Sequence, residues 1–337
     1  MLNNIATETV LLTSGNMSET GGAWHAKLCS MKPLPFAIPR PVSTIRRSCL
    51  KIATSTIALG SGACSFNHDD AALVSNPPSS QPWRNLPAYP TALVLSSGGP
   101  RGFVHAGVLK ALDEMNVRPD IVIGSSVGAL VGAIYASGIS GKSIAELALN
   151  ASVFSLATLA IGRAERLNGS PMARWINTQV NNHTIEKFPI RFGAVCIRAS
   201  DRMVSVFNHG DTGLAVQASC AIEGLFTPVR LGQEFWVDPD ATLPLPVRLA
   251  RQLGAARVLS VDASAHEDKA PAEATRYRTS DAIKRKNTQP DAALADIHLH
   301  PFFGYWVSNS QEFRISAIEA GYRDTMKQAE RIKQLFG

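Results

Sequence analysis

The chain has 337 residues, 45% of them apolar and 18% charged, with 33 Lys/Arg against 27 Asp/Glu. These values exclude a disordered chain, and the length after Pro90 suffices for one substantial core. Six basic and two acidic residues precede position 64, leaving 27 against 25 beyond it, so the case for a nucleic-acid partner falls away.

In chain order, residues 1–30 are polar and without period, and Met31 reads as the translation start. Arg46-Arg47-Ser48-Cys49-Leu50-Lys51 resembles a twin-arginine export signal with Cys49 where phenylalanine is usual. The apolar stretch 52–63 behind it is mild and shorter than the roughly 20 residues a membrane span needs. Ser61-Gly62-Ala63-Cys64 reads as a lipobox that would make Cys64 a lipidated first residue, although the same junction suits a peptidase that leaves Cys64 free. Residues 1–63 are therefore set apart as a non-mature region. The Pro/Ser-rich stretch 64–90 has the composition of a flexible tether. Together they imply an exported protein held at the cell envelope through Cys64, or alternatively a soluble periplasmic or secreted one.

A strand expected over 91–96 runs into the glycine-rich turn Ser96-Ser97-Gly98-Gly99-Pro100-Arg101-Gly102, followed by a helical pattern over 103–116. Gly98, Gly99, Arg101 and Gly102 can turn backbone N–H groups toward an anion, whereas Pro100 has none to give. No G-K-[ST] closes this turn and no G-x-G-x-x-G occurs, so neither nucleotide fingerprint is met.

A second strand over 120–124 meets a helix over 127–137 through Gly124-Ser125-Ser126-Val127-Gly128. The central residue of G-x-S-x-G sits on a sharp strand-to-helix turn that projects its hydroxyl, and small flanks such as Gly124 and Gly128 permit that turn. Ser126 thus also lies at the positive end of a helix dipole.

Helices are expected over 142–150, 171–181, 213–220 and 245–253, with strands over 190–199, 202–207, 226–231, 234–238, 257–263 and near 295–299. The segment 147–161 is weakly apolar and suits either an acyl-pocket lining or a buried helix. Phe235-Trp236-Val237-Asp238-Pro239-Asp240 ends a strand, and Asp238 is the candidate base for Ser126. His105, His183, His209, His298 and His300 lack the setting of a Ser-His-Asp triad and take structural readings. Residues 266–290 are charged and without apolar period, and read as an exposed insertion. A last helix from about Gln311 carries an apolar stripe of Phe313, Ile315, Ile318, Tyr322 and Met326. This order predicts a three-layer α/β fold with a largely parallel central sheet.

From about Thr91 to Ser264 the chain resembles the patatin-like phospholipase family, which combines a G-G-x-R-G turn, a G-x-S-x-G serine and an aspartate in D-G-G or D-G-A. The resemblance implies a patatin-like acyl hydrolase domain over 91–337 with a Ser-Asp dyad: Ser126 as nucleophile, Asp238 as base, and the turn from Gly98 to Gly102 as oxyanion hole. It implies a lipid or acyl-ester substrate and neither metal nor cofactor; the absence of C-x-x-C and H-E-x-x-H likewise gives no case for zinc.

Three departures accompany it. Pro239 and Asp240 replace the two glycines, Glu223 stands where proline is usual, and Ser97 replaces a further glycine. Proline cannot supply positive φ, and a second carboxylate raises the pKa of the first. Three readings follow: a phospholipid or lysophospholipid hydrolase; an envelope esterase, thioesterase or acyltransferase on another substrate; and a catalytically impaired scaffold of the same fold.

Overall fold

A computed structural model describes residues 69–150, 156–160 and 165–337. The twin-arginine-like segment, Cys64 and the first residues of the expected tether lie outside them, as does part of the 147–161 segment.

Five parallel strands form the centre of the sheet, in the order β10 (Ile297–Leu299), β9 (Arg257–Val261), β1 (Thr91–Leu95), β2 (Ile121–Ser125) and β5 (Arg191–Arg198). Beyond β5 the pairing turns antiparallel, with β6 (Val204–Phe207) and β8 (Glu234–Val237) on β5, and β7 (Val229–Leu231) on β8. β3 (Thr158–Leu159) and β4 (Leu167–Asn168) form a separate small hairpin.

β1 and β2 are buried along their whole length, as parallel strands covered on both faces must be. Alternate residues divide between two layers of core. Leu93, Leu95, Val122 and Phe192 face α1 (Phe103–Glu114), α2 (Val127–Ala136), α3 (Gly141–Asn150), α4 (Ser170–Gln179) and α5 (Thr212–Ser219). Ala92, Val94, Ile121 and Ile123 face the other way, against Leu245, Val247 and Ala250 at α6 (Val247–Gln252). The chain continues through α7 (Arg278–Ala292), α8 (Gln311–Met326) and α9 (Ala329–Phe336). The expected mixed α/β fold with a mostly parallel sheet is the observed one.

Three expectations need correction. The Pro/Ser-rich stretch belongs to the fold from Asp69 onward: Asp69 and Asp70 accept the backbone N–H groups of Gly232 and Arg230 at 3.0 and 2.8 Å, and Ser79 bridges to His209. By composition these residues are merely polar, but their carboxylates satisfy the edge of the β7–β8 hairpin. The segment 266–290 is not a simple exposed insertion, because α7 occupies most of its second half and buries Asp281, Lys284, Thr288 and, one residue beyond the segment, Asp291. These fall at helical spacing on one face, a stripe invisible to hydropathy since every member is polar.

The third concerns the apolar stripe of α8. Ile315 and Met326 are 40% and 36% exposed, while the buried face carries Ala317, Ile318, Ala320, Gly321 and Thr325. Small residues let α8 lie directly on α1: a Cβ at Gly107 would meet the Ile318 carbonyl oxygen at 1.9 Å, and one at Gly321 would meet the Val104 carbonyl oxygen at 2.1 Å. Gly107→Ala is expected to lower stability by about 1–3 kcal/mol, since neither backbone can yield without moving a helix. Chemical denaturation of the variant beside the parent measures it.

Candidate active site

The sheet register brings the candidate residues together. Ser125 pairs with Val195 in the parallel β2–β5 ladder, and Ile197 pairs with Val237 in the antiparallel β5–β8 ladder. Continued by one residue, the two ladders set Ser126 and Asp238 on either side of Cys196. Two inter-strand spacings separate their backbones by roughly 10 Å, a gap that a serine and an aspartate side chain span between them.

Ser126 has φ 54° and ψ −123°, the strained conformation of a strand-to-helix elbow. Gly124 and Gly128 permit it by close approach: a Cβ on Gly124 would lie 2.3 Å from the Gly128 carbonyl oxygen, and one on Gly128 would lie 2.3 Å from that of Leu95. The Ser126 N–H donates to Ser219 Oγ at 2.9 Å, and that hydroxyl donates to the Val195 carbonyl at 2.6 Å. The elbow is thereby tied through α5 to the strand beside it. The amides of Val127 and Gly128 open α2 and find no acceptor among the described residues.

The glycine turn stands at the end of β1, next to the elbow. Gly98 and Gly99 amides have no acceptor among the described residues. The Arg101 amide is already engaged by the Gly98 carbonyl at 3.2 Å. Its guanidinium turns away from the site, fully buried, donating to the carbonyls of Tyr305 and Gly304 at 2.8 Å each and lying 4.7 Å over the Phe303 ring. Burial pulls its pKa down to about 10. Of the four residues assigned to an oxyanion site, Gly98 and Gly99 hold free donors, whereas Arg101 anchors the turn to the 303–305 loop. Gly102 packs on the first residue of α2, where a Cβ would come within 2.4 Å of Val127 Cγ2. Under the turn, His105 donates from Nε2 to the Ser96 carbonyl at 2.9 Å, and burial lowers its pKa to about 4. A neutral, buried histidine propping the turn agrees with its structural reading.

Asp238 is 4% exposed. Its N–H donates to the Ala221 carbonyl at 2.9 Å, its Oδ1 accepts the Asp240 N–H at 2.7 Å, and its Oδ2 is buried without a hydrogen-bond partner among the described residues. Burial first, and then the charge of Asp240, raise its pKa to about 7, although the nearby Ser126 hydroxyl pulls the other way. Neither Asp238 nor Asp240 has positive φ, so the Pro239 turn does without the glycine conformation. The Asp240 N–H folds back on the Asp238 carboxylate instead, and Leu243 N–H closes the turn on the Pro239 carbonyl at 2.8 Å.

Sequence reasoning missed Lys284. From α7 its ammonium reaches the Asp240 carboxylate in a very short ion pair and donates to Ser97 Oγ at 3.0 Å. Lys284 is 7% and Asp240 20% exposed. Burial pushes the Asp240 pKa up, but Lys284, aided by the Ser97 hydroxyl, outweighs it and holds the carboxyl below its ordinary value. Two of the three sequence departures thus meet on one cation, which partly offsets the charge of Asp240 at Asp238 and joins the glycine turn to the aspartate loop. The third, Glu223, is exposed and pairs with Arg202 at 2.8 Å. The signal for Lys284 was the 281, 284, 288, 291 spacing. The same helix face holds the Arg101 anchor, because Tyr305 donates its hydroxyl to Asp281 in another very short bond.

A mostly parallel sheet, a serine raised on a strand-to-helix elbow and a glycine turn beside it define the class: an α/β protein with a serine-hydrolase type of elbow. Residues 93–251 match the model of the patatin-like phospholipase family. Lysophospholipase NTE1 of Coccidioides immitis is 30% identical over 194 residues, 56% of this chain but 12% of that protein. Patatin-like phospholipase domain-containing protein 6 of Homo sapiens is 28% identical over 193 residues, 55% of this chain and 14% of that protein. The chain thus spans about an eighth of the length of these curated relatives. VipD from Legionella pneumophila has a similar fold, with a TM-score of 0.50 and 15% identity over 77% of this chain and 70% of that one. At the level of the family, the match is to lipid ester hydrolases.

Two pH effects are expected. If Asp238 must be ionised to act, the acid limb of a kcat/KM profile falls near pH 7, and Lys284→Met moves it upward by roughly a unit while Lys284→Arg leaves it near the parent. Because the folded pKa of about 7 exceeds the ordinary aspartate value of 3.8, the native state binds the extra proton between these limits. Stability is therefore lost as pH rises through that window, and Asp238→Asn is expected to gain in Tm over the parent above pH 7 and to lose the advantage below pH 4.

Proposed function

We propose that this protein is a serine acyl hydrolase that cleaves an ester bond of a phospholipid or lysophospholipid through an acyl-Ser126 intermediate. The observation that carries the proposal is a buried carboxylate, Asp238, with its pKa raised toward neutrality beside a serine on a strained elbow. A carboxylate is a weak base for a serine hydroxyl, and desolvation is what brings it into a useful range.

In the first step the Ser126 hydroxyl attacks the ester carbonyl, its proton passes to Asp238, and the oxyanion takes hydrogen bonds from the Gly98 and Gly99 amides. The alkoxide leaves with the proton from Asp238. Water then attacks the acyl-serine with Asp238 again as base, releasing a fatty acid and restoring the hydroxyl. A lipid substrate is supported by Leu159, 79% exposed on the β3–β4 hairpin, whose β4 residue Leu167 bonds to Leu225 and Thr227 in the same segment of chain as Ala221, whose carbonyl holds the Asp238 N–H. The proposal extends to place: export on the Arg46-Arg47 signal and attachment to the envelope through a lipidated Cys64. Among the described residues no helix is long and apolar enough to cross a membrane.

A fluorophosphonate is expected to label the parent, to leave Ser126→Ala unlabelled, and to react about 10²- to 10⁴-fold more slowly with Asp238→Asn. An intact, folded parent that takes no label and cleaves no ester overturns the proposal. Lysophosphatidylcholine is expected to be preferred over p-nitrophenyl butyrate, and a strong reverse preference would assign the site to a short-chain esterase. Intact mass of the exported chain is expected to begin at a diacylated Cys64; a mature chain with an unmodified Cys64 removes the anchor from the proposal.

A further inference from the structure

We infer that Asp262, His298 and His300 form a binding site for a divalent first-row transition-metal ion of the zinc type, separate from the Ser126 site. One ligand atom from each of the three lies within 4.8 Å of the other two. The sequence reads His298 and His300 only as alternating strand residues. That alternation puts both imidazoles on one face of β10, and the neighbouring parallel strand β9 delivers Asp262 from its C-terminal end.

The hydrogen bonds around the cluster divide each side chain as ligation requires. His298 Nδ1 meets Ser260 Oγ at 2.9 Å, leaving Nε2. His300 Nε2 donates to the Ser264 carbonyl at 3.0 Å, with Ser264 Oγ at 3.4 Å, leaving Nδ1. Asp262 Oδ1 accepts the Ser264 N–H at 2.8 Å, leaving its second oxygen. Imidazoles that bind metals are held in this way, with the far nitrogen fixed by a hydroxyl, carbonyl or carboxylate that sets the tautomer and the ring plane. The His300 ring is further clamped by His266, stacked at 3.7 Å and 12° with its Nε2 donating to the His300 carbonyl at 3.0 Å.

Charge points the same way. Asp262 is 3% exposed and forms no salt bridge among the described residues; Arg101, which feels its charge without touching it, directs its guanidinium to the Gly304 and Tyr305 carbonyls. A buried carboxylate with no directly paired cation is costly, and a divalent ion bound to it offsets that cost. Two nitrogens and one carboxylate oxygen suit zinc and its first-row neighbours rather than calcium or magnesium, and leave coordination positions open. Metal–ligand bonds of about 2.0–2.2 Å require the three atoms to draw in from their present spacing. Both histidines are partly exposed, which leaves a way in from solvent.

The cluster also borders the glycine turn. Ala263, between Asp262 and Ser264, donates its N–H to Ser96 Oγ at 2.8 Å, and a Cβ on Gly98 would lie 3.0 Å from the Ala263 Cβ. Bound metal would brace the ends of β9 and β10 against that turn.

The test titrates zinc chloride into untagged, EDTA-treated protein by calorimetry, with Co²⁺ absorption reporting coordination. One ion per chain with saturable binding is expected, together with a rise in Tm that scales with free zinc. His298→Ala and His300→Ala are each expected to weaken binding by about 10- to 100-fold or more, with Asp262→Asn as a third variant that preserves side-chain volume. Ser126→Ala is expected to bind zinc as the parent does, so metal binding and ester hydrolysis are measured independently of each other. Absence of saturable binding in the folded parent, or undiminished binding in both histidine variants, overturns the inference.

Discussion

A carboxylate taken out of water resists ionisation, and at Asp238 burial and the charge of Asp240 both push in that direction. The side chain lies out of water beside a second carboxylate, with one oxygen unpartnered among the described residues. The Lys284–Asp240 ion pair is what keeps this tolerable: without it, two anions two residues apart would share a desolvated loop. The rest of this edge of the sheet is arranged around holding Lys284 where it is. Its helix, α7, is fixed at one end by Arg248, which donates to Asp291 through backbone and side chain at 2.6 and 2.7 Å, and along the same face by the Asp281–Tyr305 bond. Tyr305 in turn offers its carbonyl to Arg101, so the helix that steadies the Asp238 loop also steadies the glycine turn.

All of this chemistry gathers at the C-terminal ends of the parallel strands, where open α/β sheets collect their functional groups. The glycine turn follows β1, Ser126 follows β2, and the Asp262 loop follows β9. Asp238 reaches the same edge by another route, because β8 runs antiparallel and its last residue arrives opposite Cys196. That reversal lets a residue far along the chain face the serine without a further crossover helix. Cys196 and Cys220 lie buried beside it, in no disulfide among the described residues, their thiol pKa values pushed up by burial, so they behave there as small apolar groups.

Much of this frame was legible in the sequence because its local chemistry is distinctive. Strand 91–95, the glycine turn, helix α1 and the elbow at Ser126 carry runs of buried aliphatics and glycines at positions where only close backbone approach explains them. Asp238 could be singled out because it ends a strand within a motif. What escaped was whatever depended on polar burial. Asp69 and Asp70 look like tether residues until they are seen to satisfy the edge of β7–β8, and α7 looks like a solvated insertion because its buried face is made of Asp, Lys and Thr. A hydrophobic period detects burial only where burial is apolar. The α8 helix failed for the opposite reason, since contact there was made by Gly and Ala while two of the conspicuous apolar residues point to solvent.

The Lys284–Asp240 pair has a consequence for how such a sequence can drift. Either charge alone is a liability in this pocket, and stranding one member of a buried pair typically costs about 3–5 kcal/mol, comparable to the whole margin by which many domains stay folded. A lineage moving between the diglycine form of the loop and the Pro239-Asp240 form therefore crosses a valley if it changes one position at a time. The two positions lie 44 residues apart in the chain, yet they form a single unit of inheritance, and the fitness of a glycine at 240 depends on what stands at 284.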